Sequence, residues 1–419
     1  MSDISFDDIS EAPASSKPAP RKFEPNPQQA QAIEDGIHWW NHSKSPDNNI
    51  FSVTGVAGSG KTTTVETLLS SIGIAESTAL IAPTWKAARV LRHRTGRETS
   101  SMHSLIYVPK ADALSELKRA LMEEMHSKEP SETAIEALQS EMEELQALGN
   151  DLQFVLNPMV GEKTQNLSAI LLDEASMTGE EPATDLRSLG IPLILVYDPF
   201  QLPPVKAKFG FEDVVPNVFL TQIMRTGEGS GVAFAAGDIR EGRELRSYGD
   251  DFKIVPRGKL NFENYARDFD MIICGTNKVR RRMNDGIRNT LGLPKYPVAG
   301  DRIISLSNQD CGISNGEIFT IEKINSIQPR VINMDVIDAF GNRFRHVRAW
   351  REIFEDDSKT FRAPLGMGLF TYGYAMTAHK AQGSEAPRVC VLDDWRGADY
   401  TRWLYTAVTR ASQSCVFVR

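Results

Sequence analysis

Cysteine is nearly missing from this chain. Its four copies in 419 residues, Cys274, Cys311, Cys390 and Cys415, stand far apart and form no C-x-x-C pair. That argues against a zinc site and against a disulfide framework, and it fits a reducing cytoplasm. Long apolar runs are missing too. No stretch of about 18 apolar residues occurs, so no membrane-spanning helix is expected. The first 22 residues, "MSDISFDDISEAPASSKPAPRK", lack the apolar core of a signal peptide. Rich in Ser, Pro and Asp, they read as a disordered tail, with the fold beginning near Phe23. His38 and His42 sit one helical turn apart with no carboxylate or cysteine motif beside them, the pattern of a helix-surface pair. Net positive charge is also lacking: 55 acidic against 47 basic residues leave −8. That total conceals a segregation. Residues 110–150 carry ten acidic and four basic groups, whereas 257–351 carry sixteen Lys/Arg against ten Asp/Glu. A polyanionic partner is compatible with this pattern, although two solvated faces would give the same counts. With 41% hydrophobic and 24% charged residues the composition is that of a globular protein, and the length implies two to four structural units.

What is present begins with "SVTGVAGSGKTTTVETL", residues 52–68. Gly55, Gly58 and Gly60 precede Lys61 and Thr62 in the full G-x-x-x-x-G-K-[ST] spacing. A β-branched apolar run lies before the loop and a helical stretch after it, so backbone N–H groups from Gly55 through Ser59 to Thr63 would face an anion. Lys61 would reach the β- and γ-phosphates of ATP, and the Thr62 hydroxyl would ligate Mg²⁺. A glycine-rich turn before an ordinary helix is the competing reading, and it does not account for strand, loop, lysine and hydroxyl together. "AILLDEASM" then places Asp173 and Glu174 at the end of an apolar strand. Asp173 suits the metal and Glu174 suits the general base that orients water. Capping of the next helix is the alternative for such a pair. "LILVYDPFQLPPV" follows, with Asp198 and Gln201 on the same side of the sheet; Gln201 suits the γ-phosphate, and the stiff Leu202-Pro203-Pro204 segment suits a relay.

"TALIAPT", "SAILLDEAS" and "IPLILVYD" read as buried strands alternating with helices, the pattern of a doubly wound parallel sheet. "MIICGTN", "RVCVLDD" and "SCVFV" repeat that pattern in a second α/β unit. Two interruptions stand out. "SLIYVP" (104–109) and "LQFVLNP" (152–158) read as two paired strands, and they bracket an acidic segment, 110–150, whose apolar spacing is that of two antiparallel helices. Residues 301–362 hold short β-like runs with turns at Asn315-Gly316 and Gly341-Asn342, which suggests a small barrel.

D-x-x-Q-L-P-P-V after D-E-A-S-M resembles motif III of superfamily 1 helicases, in the RecD- and Dda-like B subgroup. The remaining motifs of that family are matched in order from about residue 23 to the C-terminus. "NPQQAQAI" resembles the Q motif and implies Gln29 at the adenine edge. "APTWKAARVL" is similar to motif Ia and "SSMHSL" to the next strand-contacting motif, with His103. "LTQIMRT" resembles motif IV and offers Arg225; "TNKVRRRMN" offers Asn277. "YAMTAHKAQGSE" is similar to motif V, with Thr377, His379, Lys380 and Gln382, and "LYTAVTRAS" to motif VI, with Arg410. The resemblance implies single-strand contacts from Thr84, His103, Asn277, Thr377, His379 and Lys380, and γ-phosphate contacts from Arg225 and Arg410. Trp85 and Lys86 follow Thr84 and offer stacking and phosphate contact, with a core role for the tryptophan equally open. Lys278 and Arg280 to Arg282 form a basic face that either meets phosphates or is solvated. Tyr197 departs from the glycine usual in the family at that place, and 110–150 departs from its short hairpin tip.

These features lead to two tandem RecA-like α/β domains, 23–103 with 167–220 and 221–300 with 363–419. A pin and helical insert would occupy 104–166, and an SH3-like insert 301–362. The activity expected is an ATP- and Mg²⁺-dependent DNA helicase, monomeric and cytoplasmic, acting at single-strand/duplex junctions, and the B-subgroup resemblance implies movement 5′ to 3′ on single-stranded DNA. A host cytoplasm is implied if the source is a phage. A translocase that strips proteins without efficient unwinding is the alternative enzyme. An interaction protein recruited through the acidic insert is the non-enzymatic one.

Overall fold

The computed structural model describes residues 23–45, 48–127, 129–147, 154–205, 207–224, 229–309, 312–358, 364 and 366–419. The expected N-terminal tail, Arg225 and Cys311 lie outside the described residues.

The first unit is built on strands β1 (Ile50–Gly55), β2 (Thr78–Ala82) and β3 (Thr99–Ser101), then, after a short pair β4 (Tyr107–Pro109) and β5 (Phe154–Leu156), on β6 (Ala169–Asp173), β7 (Leu193–Tyr197) and β8 (Val218–Leu220). Six of them form one parallel sheet in the order β3-β2-β6-β7-β1-β8. Central strands β6 and β7 are buried along their whole length, because helices cover both faces. Their side chains alternate between two cores. Ala169, Leu171, Ile194 and Val196 pack with Phe51, Leu68 and Trp39, while Ile170, Leu172, Leu193 and Leu195 pack with Ile81, Met102 and Phe211.

Residues 104–109 are not one strand. Ser101 caps a five-residue helix, Met102–Ile106, by accepting the Ser104 N–H, and β4 starts only at Tyr107. The cap settles the first turn as helix despite its β-prone residues. β4 pairs antiparallel with β5, Pro109 opposite Phe154. Between them stand the helices Lys110–Met125 and Glu132–Ala147; Ala113 and Leu117 are buried in the first, and no residue of the second is.

A second parallel sheet has the order β16-β10-β17-β18-β9, and an antiparallel sheet the order β14-β13-β12-β11-β15. The parallel strands are β9 (Phe252–Val255), β10 (Met271–Cys274), β16 (Ala375–Thr377), β17 (Ala386–Leu392) and β18 (Ala411–Val418). The antiparallel ones are β11 (Arg302–Ser305), β12 (Ile318–Ile327), β13 (Val331–Asp338), β14 (Arg343–Trp350) and β15 (Phe370–Tyr372). The last of these lies beyond the expected boundary at 362, since the returning chain completes the edge beside β11. Gly368 donates to the Arg348 carbonyl and accepts from the Trp350 N–H, so the sheet curls towards its own far edge. Arg89 of the first unit ties this sheet down through Glu317 (3.1 Å) and Asp338 (3.3 Å).

Candidate active site and nucleic-acid groove

The glycine loop turns as it does because Gly60 has φ +77 and stands against Gln29, whose Nε2 would lie 2.6 Å from any Cβ there. Gln29 is buried beneath the loop. Its Nε2 donates to the Ser59 carbonyl and its Oε1 accepts the Asn26 N–H, both at 3.0 Å, in a capping box that starts helix Pro27–His38. It does not line the cleft. Lys61 folds back onto the loop and donates to the carbonyls of Gly55 (2.9 Å) and Val56 (3.0 Å).

Around the loop lies a cleft of about 270 Å³ lined by Gly58, Gly60, Lys61, Thr62, Thr63, Asp173, Glu174, Gln201 and Arg410, with Tyr197, Arg94 and Glu385 among the others. Thr62 Oγ1 donates to Asp173 Oδ2 at 3.2 Å. Burial, and then the neighbouring Glu174 charge, push the Asp173 carboxyl up to about 6. Glu174 holds a left-handed backbone, φ +53, which costs ~1 kcal/mol or more for a residue with a Cβ. Its N–H donates to Asp173 Oδ1 (2.9 Å), so the carboxylate holds the turn that carries its neighbour into the cleft. Gln201 is 5% exposed, and its Oε1 has no protein donor. Arg410 comes from the second unit and is braced by the carbonyls of Thr406 (3.0 Å) and Ser384 (3.3 Å).

A second groove, about 670 Å³, runs beside the cleft and is also lined by both units. Thr84, Trp85, Lys86, His103, His379 and Lys380 meet there, whereas Asn277 and Thr377 do not reach it. Trp85 is 42% exposed and therefore no core residue. Burial lowers the pKa of both His103 and His379, which favours neutral rings that stack and hydrogen-bond. Of the basic run, Arg280 is buried and paired with Asp357 at 2.7 Å, its Nε donating to Asn277 Oδ1. Arg280 is thus spent inside the unit, which removes it from the expected basic face.

Sequence reading missed several groove residues. Tyr107 and Phe154 come from the β4–β5 pair, and Asn308, Asn315 and Gly316 from the stretch between β11 and β12. The runs 104–109 and 152–158 and the Asn315-Gly316 turn are the local signals, and they mark strands and a bend without marking what these face.

Three segments touch both cavities. Glu174 lines the cleft and Met177 the groove; helix Trp85–Thr95 places Trp85 in the groove and Arg94 in the cleft; Gln382 and Glu385 divide in the same way. A further segment, 198–202, lines the cleft and is bonded to the groove residue Gln382. Gln201 faces the cleft, while the next residue is clamped by the second unit: Leu202 N–H donates to Thr406 Oγ1 and its carbonyl accepts from Gln382 Nε2, both at 2.9 Å.

Lys86 lines the groove, 9% exposed, with its ammonium on the Lys380 carbonyl. Burial, then the charge of Lys380, lower its pKa to about 7. From about pH 7 to the ordinary lysine range the unfolded chain binds a proton that the folded chain lacks, so folding is increasingly favoured as pH rises. Wild type should therefore gain melting temperature relative to Lys86→Met between pH 7 and 9. Parallel thermal melts at pH 6, 7.5 and 9 check this, and a gap independent of pH contradicts it.

The AAA domain profile matches residues 25–252, and that of the UvrD-like helicase C-terminal domain matches 372–418. The chain belongs to the superfamily 1 helicases, B subgroup. Within this family it is similar to the ATP-dependent RecD2 DNA helicase of Deinococcus radiodurans, 26% identical over 383 residues, covering 86% of this chain and 45% of that one. The chain thus spans under half the length of this curated relative. Its fold is shared with Pif1 from Bacteroides bound to ssDNA (TM-score 0.54, 18% identity, 93% and 91% of the two chains). It is shared also with Pif1 helicase from Candida albicans (TM-score 0.53, 16% identity, 95% of each chain).

Proposed function

We propose that this superfamily 1 chain is an ATP-dependent DNA helicase that moves 5′ to 3′ along single-stranded DNA and opens duplex at a junction. The observation that carries this reading is the sharing of both cavities by both units, with three segments touching each. A change at the phosphate loop then reaches the groove through backbone, not through solvent. In this reading Lys61 and Arg410 take the γ-phosphate charge, joined by Arg225 of the motif IV stretch, and Gln201 senses that phosphate through its unpaired oxygen. Glu174 orients and deprotonates the attacking water. Gln29 reaches the adenine edge only by giving up its bond to Ser59.

Thr62 and Asp173 fit Mg²⁺: both are hard oxygen donors, already 3.2 Å apart, and they would hold it together with nucleotide oxygens and water. When bound, the ion neutralises charge on the β- and γ-phosphates. Thr84, Trp85, His103, His379 and Lys380 hold the strand by stacking and polar contacts that ignore sequence. The β4–β5 pair is the strand-separating pin, and 301–362 with β15 is an SH3-like insert that roofs the groove. The acidic helices, 110–147, suit a basic protein partner. The chain acts as a cytoplasmic monomer.

ATPase measured with and without single-stranded DNA, beside unwinding of duplexes with a 5′ or a 3′ tail, tests the proposal. Strong stimulation and opening of the 5′-tailed duplex alone are expected. Hydrolysis indifferent to DNA would sink the motor, and opening of only the 3′-tailed duplex would reverse the polarity.

A further inference from the structure

One phenol oxygen joins three elements of the cleft that belong to different units. Tyr405 lies on the second-unit helix Tyr400–Val408, which leads to Arg410, and its 1%-exposed ring packs with Trp403, Leu404 and Phe417 in that unit's core. The hydroxyl leaves that core. It donates to Asp198 Oδ2 at 2.8 Å and accepts the Ala57 N–H of the glycine loop at 3.2 Å. Asp198 has no exposed surface, and its other oxygen accepts the Phe200 N–H at 3.0 Å. A single second-unit atom therefore touches the phosphate loop and the start of the 198–202 segment that carries Gln201.

We propose that Tyr405 is a positioning residue whose hydroxyl sets the glycine loop and the 198–202 segment for hydrolysis only while the two units are closed on each other. This rests on the reading of the cleft as an ATPase that closes on its nucleotide. Tyr405 moves with its own unit, so opening breaks both bonds together. Asp198 and the Ala57 N–H would then lose a shared partner at the face the opening uncovers. Both bonds come from one hydroxyl on one unit, so the contact is made whole or not at all. Burial raises the Asp198 pKa, and the Lys61 charge and the Tyr405 hydrogen bond oppose that rise. The phenol thus helps keep the carboxylate ionised to accept from Phe200. Adjacent Thr406 clamps Leu202 by the same movement. Closure is read at two points one residue apart on a single helix.

Tyr405→Phe retains the ring and deletes only the hydroxyl's two bonds. Steady-state ATPase over a range of ATP concentrations, with and without single-stranded DNA, is compared with a fluorescent-ADP binding titration and a thermal melt. The expected result is a kcat lower by about tenfold or more, equivalent to ~1.4 kcal/mol on the barrier. KM should shift by less than about threefold, ADP affinity should be near wild type, and the DNA-stimulation ratio should fall. Asp198→Asn should move kcat the same way. If both act through one bond, the double variant is no worse than the poorer single one. A cooperatively melting Tyr405→Phe with kcat and DNA stimulation within about twofold of wild type overturns the proposal, as do losses that multiply in the double variant. Should Tyr405→Phe fail to fold, Asp198→Asn carries the test alone, and unchanged kcat overturns it. Absence of ATPase in the wild type overturns the functional reading with it, whereas wild-type activity retained in Tyr405→Phe removes the Tyr405 assignment only.

Discussion

Glu174→Gln is expected to bind ATP about as well as the wild type and to hydrolyse it about 10²- to 10⁴-fold more slowly, the range for loss of a positioned general base. The amide is nearly isosteric, so the left-handed turn at φ +53 and its N–H bond to Asp173 are retained. The Thr62–Asp173 pair is untouched. The ability to take a proton is lost, together with the charge that helps raise the Asp173 pKa. Lys61→Ala should also abolish turnover, but with weaker nucleotide binding and a groove that still takes single-stranded DNA. Arg410→Ala should lower kcat more than affinity, because its charge is needed chiefly as the γ-phosphate leaves. Steady-state ATPase with a parallel nucleotide titration separates the three. Near-normal turnover in Glu174→Gln would be incompatible with its assignment as base.

The elements of this fold written in local sequence were legible. β6 and β7 are continuous apolar runs because both their faces are covered, and glycine spacing with a following Lys-Thr marks the phosphate loop wherever it occurs. Pairing between distant segments was not. β15 completes the antiparallel sheet from outside the 301–362 stretch, and β9 and β16 are edge strands of four and three residues, too short for periodicity to reveal. The same limit applies to the site. Lys61, Asp173, Glu174, Gln201 and Arg410 do meet in one cleft, but their spacing says nothing of Arg94 and Glu385, which pair across it from different units. Motif resemblance brought Asn277 and Thr377 towards the strand, yet the groove is closed by residues such as Phe154 and Asn308 that no motif contains. Tyr405 lies inside the motif VI stretch, but a buried aromatic is ordinary core until its hydroxyl is seen to cross the cleft.

Replacing residues 110–153 by Asn-Gly should leave DNA-stimulated ATPase nearly intact, while truncating β4 and β5 as well should remove duplex unwinding and spare single-strand translocation. Pro109 and Phe154 are directly paired, so a two-residue turn can close the shortened hairpin in register. The energetic loss is local. Ala113 and Leu117 lose their buried contacts, costing a few kcal/mol at most, roughly what one large-to-small core change does. Helix Glu132–Ala147 buries no residue, and Met122 and Met125 stand 66% and 53% exposed, so the outer hairpin supports nothing in the motor. Its excess negative charge repels phosphates, so DNA affinity should not fall when it goes. The β pair differs, because Tyr107 and the 58%-exposed Phe154 stand in the groove itself, where a rigid edge can wedge the strands of a duplex apart. Strand separation on a 5′-tailed duplex, measured beside translocation on single strands, distinguishes the two variants. Loss of DNA-stimulated ATPase in a folded Asn-Gly variant would make the acidic helices belong to the motor and break this partition of the chain.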